Sequence, residues 1–233
     1  MTTTRSTLIL FDIDGTLIHS GRAGLRGMNA AFRRLHGLSG ALDMVRFAGR
    51  TDRAIVGDVF RQFGLPAGDD EVYRLRDAYV EDLRVEIARP GEGAIGVLPG
   101  VADLLDALSA DPDVQVGLLS GNFAGGAAIK LGHYGLWSRF PFGAFGDDHA
   151  DRRALVPVAC AAAGASGCPV PPPDRICVIG DTPLDVDCAR AHGVRALGVA
   201  TGPFAVGDLA DAGAHLAVPT LADTARIVRW LLE

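Results

Sequence analysis

Apolar residues follow two patterns along the chain, and the change between them divides it. Leu8-Ile9-Leu10-Phe11 is a continuous apolar run of strand length that stops at Asp12-Ile13-Asp14-Gly15-Thr16, as a strand buried on both faces reads. From Ala23 onward the apolar residues recur every three or four positions instead. Leu25, Met28, Phe32 and Leu35 predict a helix over 23–36; Ile55, Val59, Phe60 and Phe63 predict a second that opens at Thr51-Asp52 and ends at Gly64-Leu65-Pro66. Leu75, Tyr79, Leu83 and Ile87 predict a third over about 71–89. Each helix carries one apolar stripe, and three together can bury those stripes as a small bundle. The glycine-rich stretch 91–96 that follows reads as a hinge.

From Pro99 strands and helices alternate. Strands are expected near 114–119, 143–145, 175–180, 196–199 and 214–218, and helices over 101–110, 124–134, 153–163, 184–192 and 221–232. Such alternation indicates a mostly parallel sheet covered by helices on both faces. The predicted fold is therefore an α/β, Rossmann-like three-layer core made of residues 1–17 and 95–233. An α-helical cap, residues 18–94, is inserted after the first strand, where it can close over the strand's end.

Bulk properties narrow the picture without redirecting it. The apolar fraction of 48% and charged fraction of 21% are those of an ordinary globular protein. A net charge of -6 gives no electrostatic reason to expect nucleic acid. No apolar run reaches the roughly 18 residues a membrane span needs. Met1 to Ser6 lead directly into the first strand, leaving no room for a signal peptide. Cys160, Cys168, Cys177 and Cys188 form no Cys-x-x-Cys pair and read as reduced thiols of a cytoplasmic protein.

Ligands of open parallel sheets sit outside the carboxyl ends of the strands, so those ends locate the candidate chemistry. The first strand ends in Asp12 and Asp14, the strand at 114–119 in Ser120-Gly121-Asn122, and the short strand near 145 in Asp147-Asp148-His149 followed by Arg152 and Arg153. The strand at 175–180 ends in Asp181 and Asp185. Partly buried carboxylates gathered there require a compensating cation, and an all-oxygen set favours magnesium over zinc. Ser120 with the amides of Gly121 and Asn122 can donate to phosphoryl oxygens, and an arginine can neutralise them. One carboxylate can then attack phosphorus while another moves protons.

These motifs, in this order, resemble the haloacid dehalogenase-like hydrolase superfamily, in particular its phosphoglycolate-phosphatase-like members with a helical cap. Asp12-Ile13-Asp14-Gly15-Thr16 matches the first motif, Ser120 the second, and Gly180-Asp181 with Asp185 the fourth. The resemblance implies a magnesium-dependent phosphatase of a small phosphorylated metabolite, acting through a phospho-aspartyl intermediate. Asp12 would be nucleophile and metal ligand. Asp14 would be acid/base and would also ligate the metal, through its backbone carbonyl. Asp181 would be a further metal ligand, with Asp185 supporting from behind.

The third motif, a basic residue, is where the sequence departs from the pattern. Lys130, the only lysine, lies some seven residues into the predicted helix after Ser120, about 10 Å along its axis from the sheet's end, and reads as a solvated helix charge. Arg152 is preferred to it and to Arg153. In the cap, Gly49-Arg50-Thr51-Asp52 can either present Arg50 to a substrate anion or cap the next helix through Thr51 or Asp52. His19, Asp148 and His149 read as peripheral. A dehalogenase has no need of Asp14, and phosphonate cleavage through a Schiff base lacks a lysine within 18–94. A phosphosugar mutase and a non-catalytic binding module are the alternatives.

Overall fold

The computed structural model describes residues 6–233; residues 1–5, on which the argument against a signal peptide rested, lie outside the described residues. Strand β1 (Thr7–Phe11) is wholly buried. It pairs in parallel with β4 (Val114–Leu119) on one side and β6 (Ile176–Gly180) on the other. The sheet is completed by β5 (Gly143–Ala144), β7 (Arg195–Val199) and β8 (Leu216–Val218), in the order β5-β4-β1-β6-β7-β8 with every pairing parallel. The chain steps outward from β1 through β4 to β5, then returns to β6 on the opposite flank. That reversal makes the carboxyl end of β1 the switch point where α/β sheets open a crevice.

Side-chain alternation along β1 builds the two covering layers. Ile9 and Phe11 pack with α4 (Val101–Ser109), α5 (Ala124–His133) and α9 (Thr224–Leu232). Leu8 and Leu10 pack with α6 (Leu155–Ala165) and α7 (Pro183–Arg190). The periodicity placed all of these elements, with ends shifted by a few residues. It missed α8 (Val206–Asp211), which at six residues is too short to show a period.

The expected cap helices are α1 (Ala23–His36), α2 (Asp52–Gln62) and α3 (Asp69–Glu86). Met28, Phe32, Ile55, Phe60, Leu75 and Tyr79 form a separate apolar centre between them. A two-stranded antiparallel ribbon, β2 (Ile18–Ser20) with β3 (Ile95–Val97), joins this bundle to the sheet domain. The two strands of the ribbon begin at Ile18 and Ile95. Among the described residues no helix is long and apolar enough to cross a membrane, and all four cysteines are unpaired.

Candidate active site

Asp12 extends β1 by one ladder bond, its N–H donating to Ile179 O at 2.9 Å, and so stands at the sheet's open end. It is 5% exposed. Arg152 Nη2 lies 3.0 Å from Asp12 Oδ1 and 2.5 Å from Asp185 Oδ1. Its other terminal nitrogen donates to Gly49 O of the cap at 3.0 Å. Arg152 is thus one buried guanidinium that ties two sheet carboxylates to a cap loop. Arg153, one residue on, points outward and pairs with Asp187. Of the two arginines, Arg152 is the one beside Asp12.

Asp12, Asp181 and Asp185 are all buried, with carboxylate oxygens within 4.8 Å of one another. Burial pushes the Asp12 carboxyl up to about 6, with Asp185 and Asp14 adding to the rise and Arg152 opposing it. Asp181 is pushed up to about 9, again by burial first and then by Asp185 and Asp12. Thr16 donates to Asp181 at 3.4 Å. Asp185 spends Oδ1 on Arg152 and Oδ2 on the Thr182 N–H and hydroxyl, at 3.0 and 2.7 Å, as the capping box of α7. Its oxygens are committed, so Asp12 and Asp181 remain to meet a ligand. Two buried, mutually repelling carboxylates, grouped with a third and with no histidine or cysteine in the cluster, fit a hard divalent cation.

Glycines make the close packing around Asp181 and Asp185 possible. Gly15 has φ +81, and a Cβ there would strike the Asp181 carboxylate; a Cβ on Gly180 would strike that of Asp185.

Asp14 is the exposed member of the pair, its side chain 42% accessible. Lys130 Nζ donates to Asp14 Oδ2 at 2.5 Å and to Asn122 Oδ1 at 2.6 Å. Asn122 Nδ2 in turn donates to Asp14 Oδ2 and to Ser120 Oγ, both at 2.9 Å. Reading Lys130 as a solvated helix charge was therefore wrong: it is buried, 5% exposed. The axial rise was counted correctly, but side chains lean toward the helix N-terminus, and a lysine is long enough to reach back most of that distance. Burial works against its charge, yet Asp14 above all holds its pKa well above the usual lysine value. Its being the only lysine beside 21 arginines was the available signal.

The cap closes on this site through residues 49–52. Thr51 caps α2, accepting from Ala54 N at 3.2 Å, and its hydroxyl donates to Ala150 O of the core. Asp52 N donates to Gly121 O at 2.7 Å, and Asp52 Oδ2 accepts from Phe123 N at 2.8 Å, at the start of α5. Burial pushes Asp52 up to about 6, with Lys130 pulling it down. Arg50 does not reach toward the sheet carboxylates: it donates to Asp58 Oδ2 at 2.6 Å and to Arg46 O at 2.9 Å. Asp148 accepts from Tyr73 of the cap, whereas His19, expected at the periphery, borders the cavity between cap and core and bonds to Thr201 O.

Between cap and core lies a cavity of about 490 Å3 bordered by Asp12, Asp14, Ser120, Asn122, Lys130, Arg152 and Asp181 at its floor. Such a floor gathers carboxylates, a hydroxyl, an amide and two cations around one space, a set that can receive an anionic group together with a cation.

Comparison with known proteins bears on this reading. The model of the haloacid dehalogenase-like hydrolases matches residues 9–190. A phosphoglycolate phosphatase of Rhodospirillum rubrum is 28% identical over 192 residues, covering 80% of this chain and 76% of that one. A hydrolase from Pseudomonas syringae superposes with a TM-score of 0.70 at 22% identity, covering 97% of this chain and 99% of its own. CbbY from Rhodobacter sphaeroides, solved in complex with phosphate, gives 0.68 at 19% identity, covering 94% and 96%. At these identities the structural likenesses speak for the fold.

Proposed function

Because the chain belongs to the haloacid dehalogenase-like hydrolases, their model spanning most of it, we propose that it is a magnesium-dependent phosphatase of a small phosphorylated metabolite. The observation that carries the reading is the contrast in setting between Asp12 and Asp14. One carboxylate is buried beside Asp181 and Arg152; the other, two residues on, is half-exposed and fixed by Lys130 and Asn122. The similarity to a phosphoglycolate phosphatase supports the same class.

In this reading an Asp12 oxygen attacks phosphorus and the ester P–O bond breaks, leaving a phospho-aspartate. Asp14 relays a proton to the departing alkoxide. It then takes a proton from water, whose oxygen attacks phosphorus and breaks the P–O bond to Asp12, releasing inorganic phosphate. Ser120 and the amides of Gly121 and Asn122 orient the phosphoryl oxygens, and Arg152 keeps Asp12 and Asp185 in place. Asp12, Asp181 and the backbone carbonyl of Asp14 would hold magnesium, with Asp185 behind them; when bound, it neutralises charge gathering on the phosphoryl oxygens. Residues 18–94 act as the lid that excludes water from the cavity.

The test is a panel of phosphate monoesters assayed with magnesium and with excess chelator. Release of inorganic phosphate from at least one ester, abolished by chelator, is expected; no release from any ester overturns the reading.

A further inference from the structure

The cavity has two unlike ends. Its floor carries the charged and hydrogen-bonding groups described above, whereas the cap wall opposite is built from Leu25, Met28, Leu42, Phe47 and Ile55. Met28, Leu42 and Ile55 are otherwise buried in the cap's apolar centre. The two cap arginines that border the cavity are each paired, Arg22 with Glu92, itself on the cavity's border, at 3.3 Å and Arg50 with Asp58 at 2.6 Å. Among the described residues the buried side-chain polar atoms without a partner are His36 Nε2 and Arg152 Nε, and of these residues only Arg152, on the floor, borders the cavity. The cap wall therefore presents no uncommitted cation to a second anionic group. Leu25, Met28, Leu42 and Ile55 themselves offer no donor or acceptor to a set of sugar hydroxyls.

Building on the phosphatase reading, we infer that the substrate is a phosphate monoester of a predominantly apolar alcohol, bound with its hydrocarbon part against Leu25, Met28, Leu42 and Ile55. A carboxylate or polyhydroxyl group seated on that wall would lose its water without replacement hydrogen bonds. A phenyl or branched alkyl group gains there by burial. The volume, about 490 Å3, lies in the range of cavities that enclose drug-sized ligands and exceeds what a two-carbon phosphate ester occupies. This assigns the cap wall a preference different from that of the phosphoglycolate phosphatase relative.

The decisive comparison uses magnesium-loaded wild-type protein and primary esters with similar leaving alcohols: ethyl phosphate, phenethyl phosphate, phosphoglycolate and glucose 6-phosphate. A kcat/KM for phenethyl phosphate at least about tenfold above each of the others is expected, the value of burying one ring. Met28→Gln, close in volume but polar, should shrink the phenethyl-to-ethyl ratio severalfold. A binding readout independent of turnover is the thermal shift with phenylpropylphosphonate against propylphosphonate, the former giving the larger shift. Equal rates for ethyl and phenethyl phosphate, or a preference for phosphoglycolate or glucose 6-phosphate, overturn the inference while leaving the phosphatase reading intact. If no ester is hydrolysed, including an activated aryl phosphate, the phosphatase reading fails and the inference falls with it.

Discussion

Lys130 Nζ sits 2.5 Å from Asp14 Oδ2, a contact that joins the interior of α5 to the loop after β1. The ammonium and Asn122 grip one oxygen of Asp14, which fixes the carboxyl's orientation toward the cavity. Removing that grip should impair proton transfer rather than phosphate binding.

Lys130→Met should therefore lower kcat on alkyl phosphates by about 10- to 100-fold, less than the roughly 100- to 10,000-fold that general acid catalysis supplies, because Asp14 itself remains. It should have a smaller effect on nitrophenyl phosphate, whose leaving group needs no proton. Steady-state kinetics on both esters check this, and equal losses would argue that Lys130 acts on the phosphoryl group instead.

Arg152 and Arg153 are neighbours in sequence with opposite consequences. Arg152→Ala leaves Asp12 and Asp185 buried without their partner and should cost about 3–5 kcal/mol of stability, as broken buried ion pairs do. Arg153 is exposed and pairs with an exposed Asp187, so Arg153→Ala should leave the melting temperature and activity unchanged. Denaturant titration of both variants with wild type checks the pair.

Asp181 makes the metal-free protein sensitive to rising pH. Its carboxyl pKa climbs from 3.8 to about 9 on folding, so the native state holds a proton the unfolded chain releases. The penalty is absent below the unfolded value and grows as pH rises through the folded one, reaching the order of several kcal/mol near neutrality. Metal-free Asp181→Asn should thus melt above wild type by a margin that widens from pH 5 to pH 8.5. Magnesium should narrow that margin by stabilising the wild type. Thermal melts across that range check it; a margin independent of pH would contradict it.

Asp52 belongs to the cap but accepts from Phe123 N, just before the core helix α5. Asp52→Ala leaves that buried N–H without its partner and should cost about 1–3 kcal/mol. It should also raise KM, because the same residue holds the 49–52 loop against Gly121. Gly121→Ala, whose Cβ would meet the Arg50 carbonyl, should raise KM as well. Kinetics and limited proteolysis of the cap check both.

What the sequence made legible follows from how far each signal reaches along the chain. Asp12, Asp14, Ser120, Asp181 and Asp185 end strands, and a parallel sheet brings strand ends together whatever the loops do. Helices with long apolar stripes were equally readable. Ile18–Ser20 and Ile95–Val97 form three-residue strands beside glycines, too short for a period. Lys130 depended on side-chain direction rather than on position along the helix axis. Arg50 was free in sequence to face either way, and Asp58, two turns along α2, captured it. The contact of Asp52 with Phe123 spans 71 residues and has no local signature.

The central claim is that Asp12 carries the phosphoryl group while Asp14 only moves protons. Acid-quenched reactions with an activated aryl phosphate and magnesium test it directly, by counting released aryl alcohol and protein-bound phosphate per site. Asp14→Asn should release one equivalent in a burst and then stall, with one phosphate bound to protein, because the activated ester needs no acid but hydrolysis needs the base. Asp12→Asn should show neither burst nor bound phosphate. Bound phosphate in Asp12→Asn, or steady turnover without a burst in Asp14→Asn, would contradict the assignment.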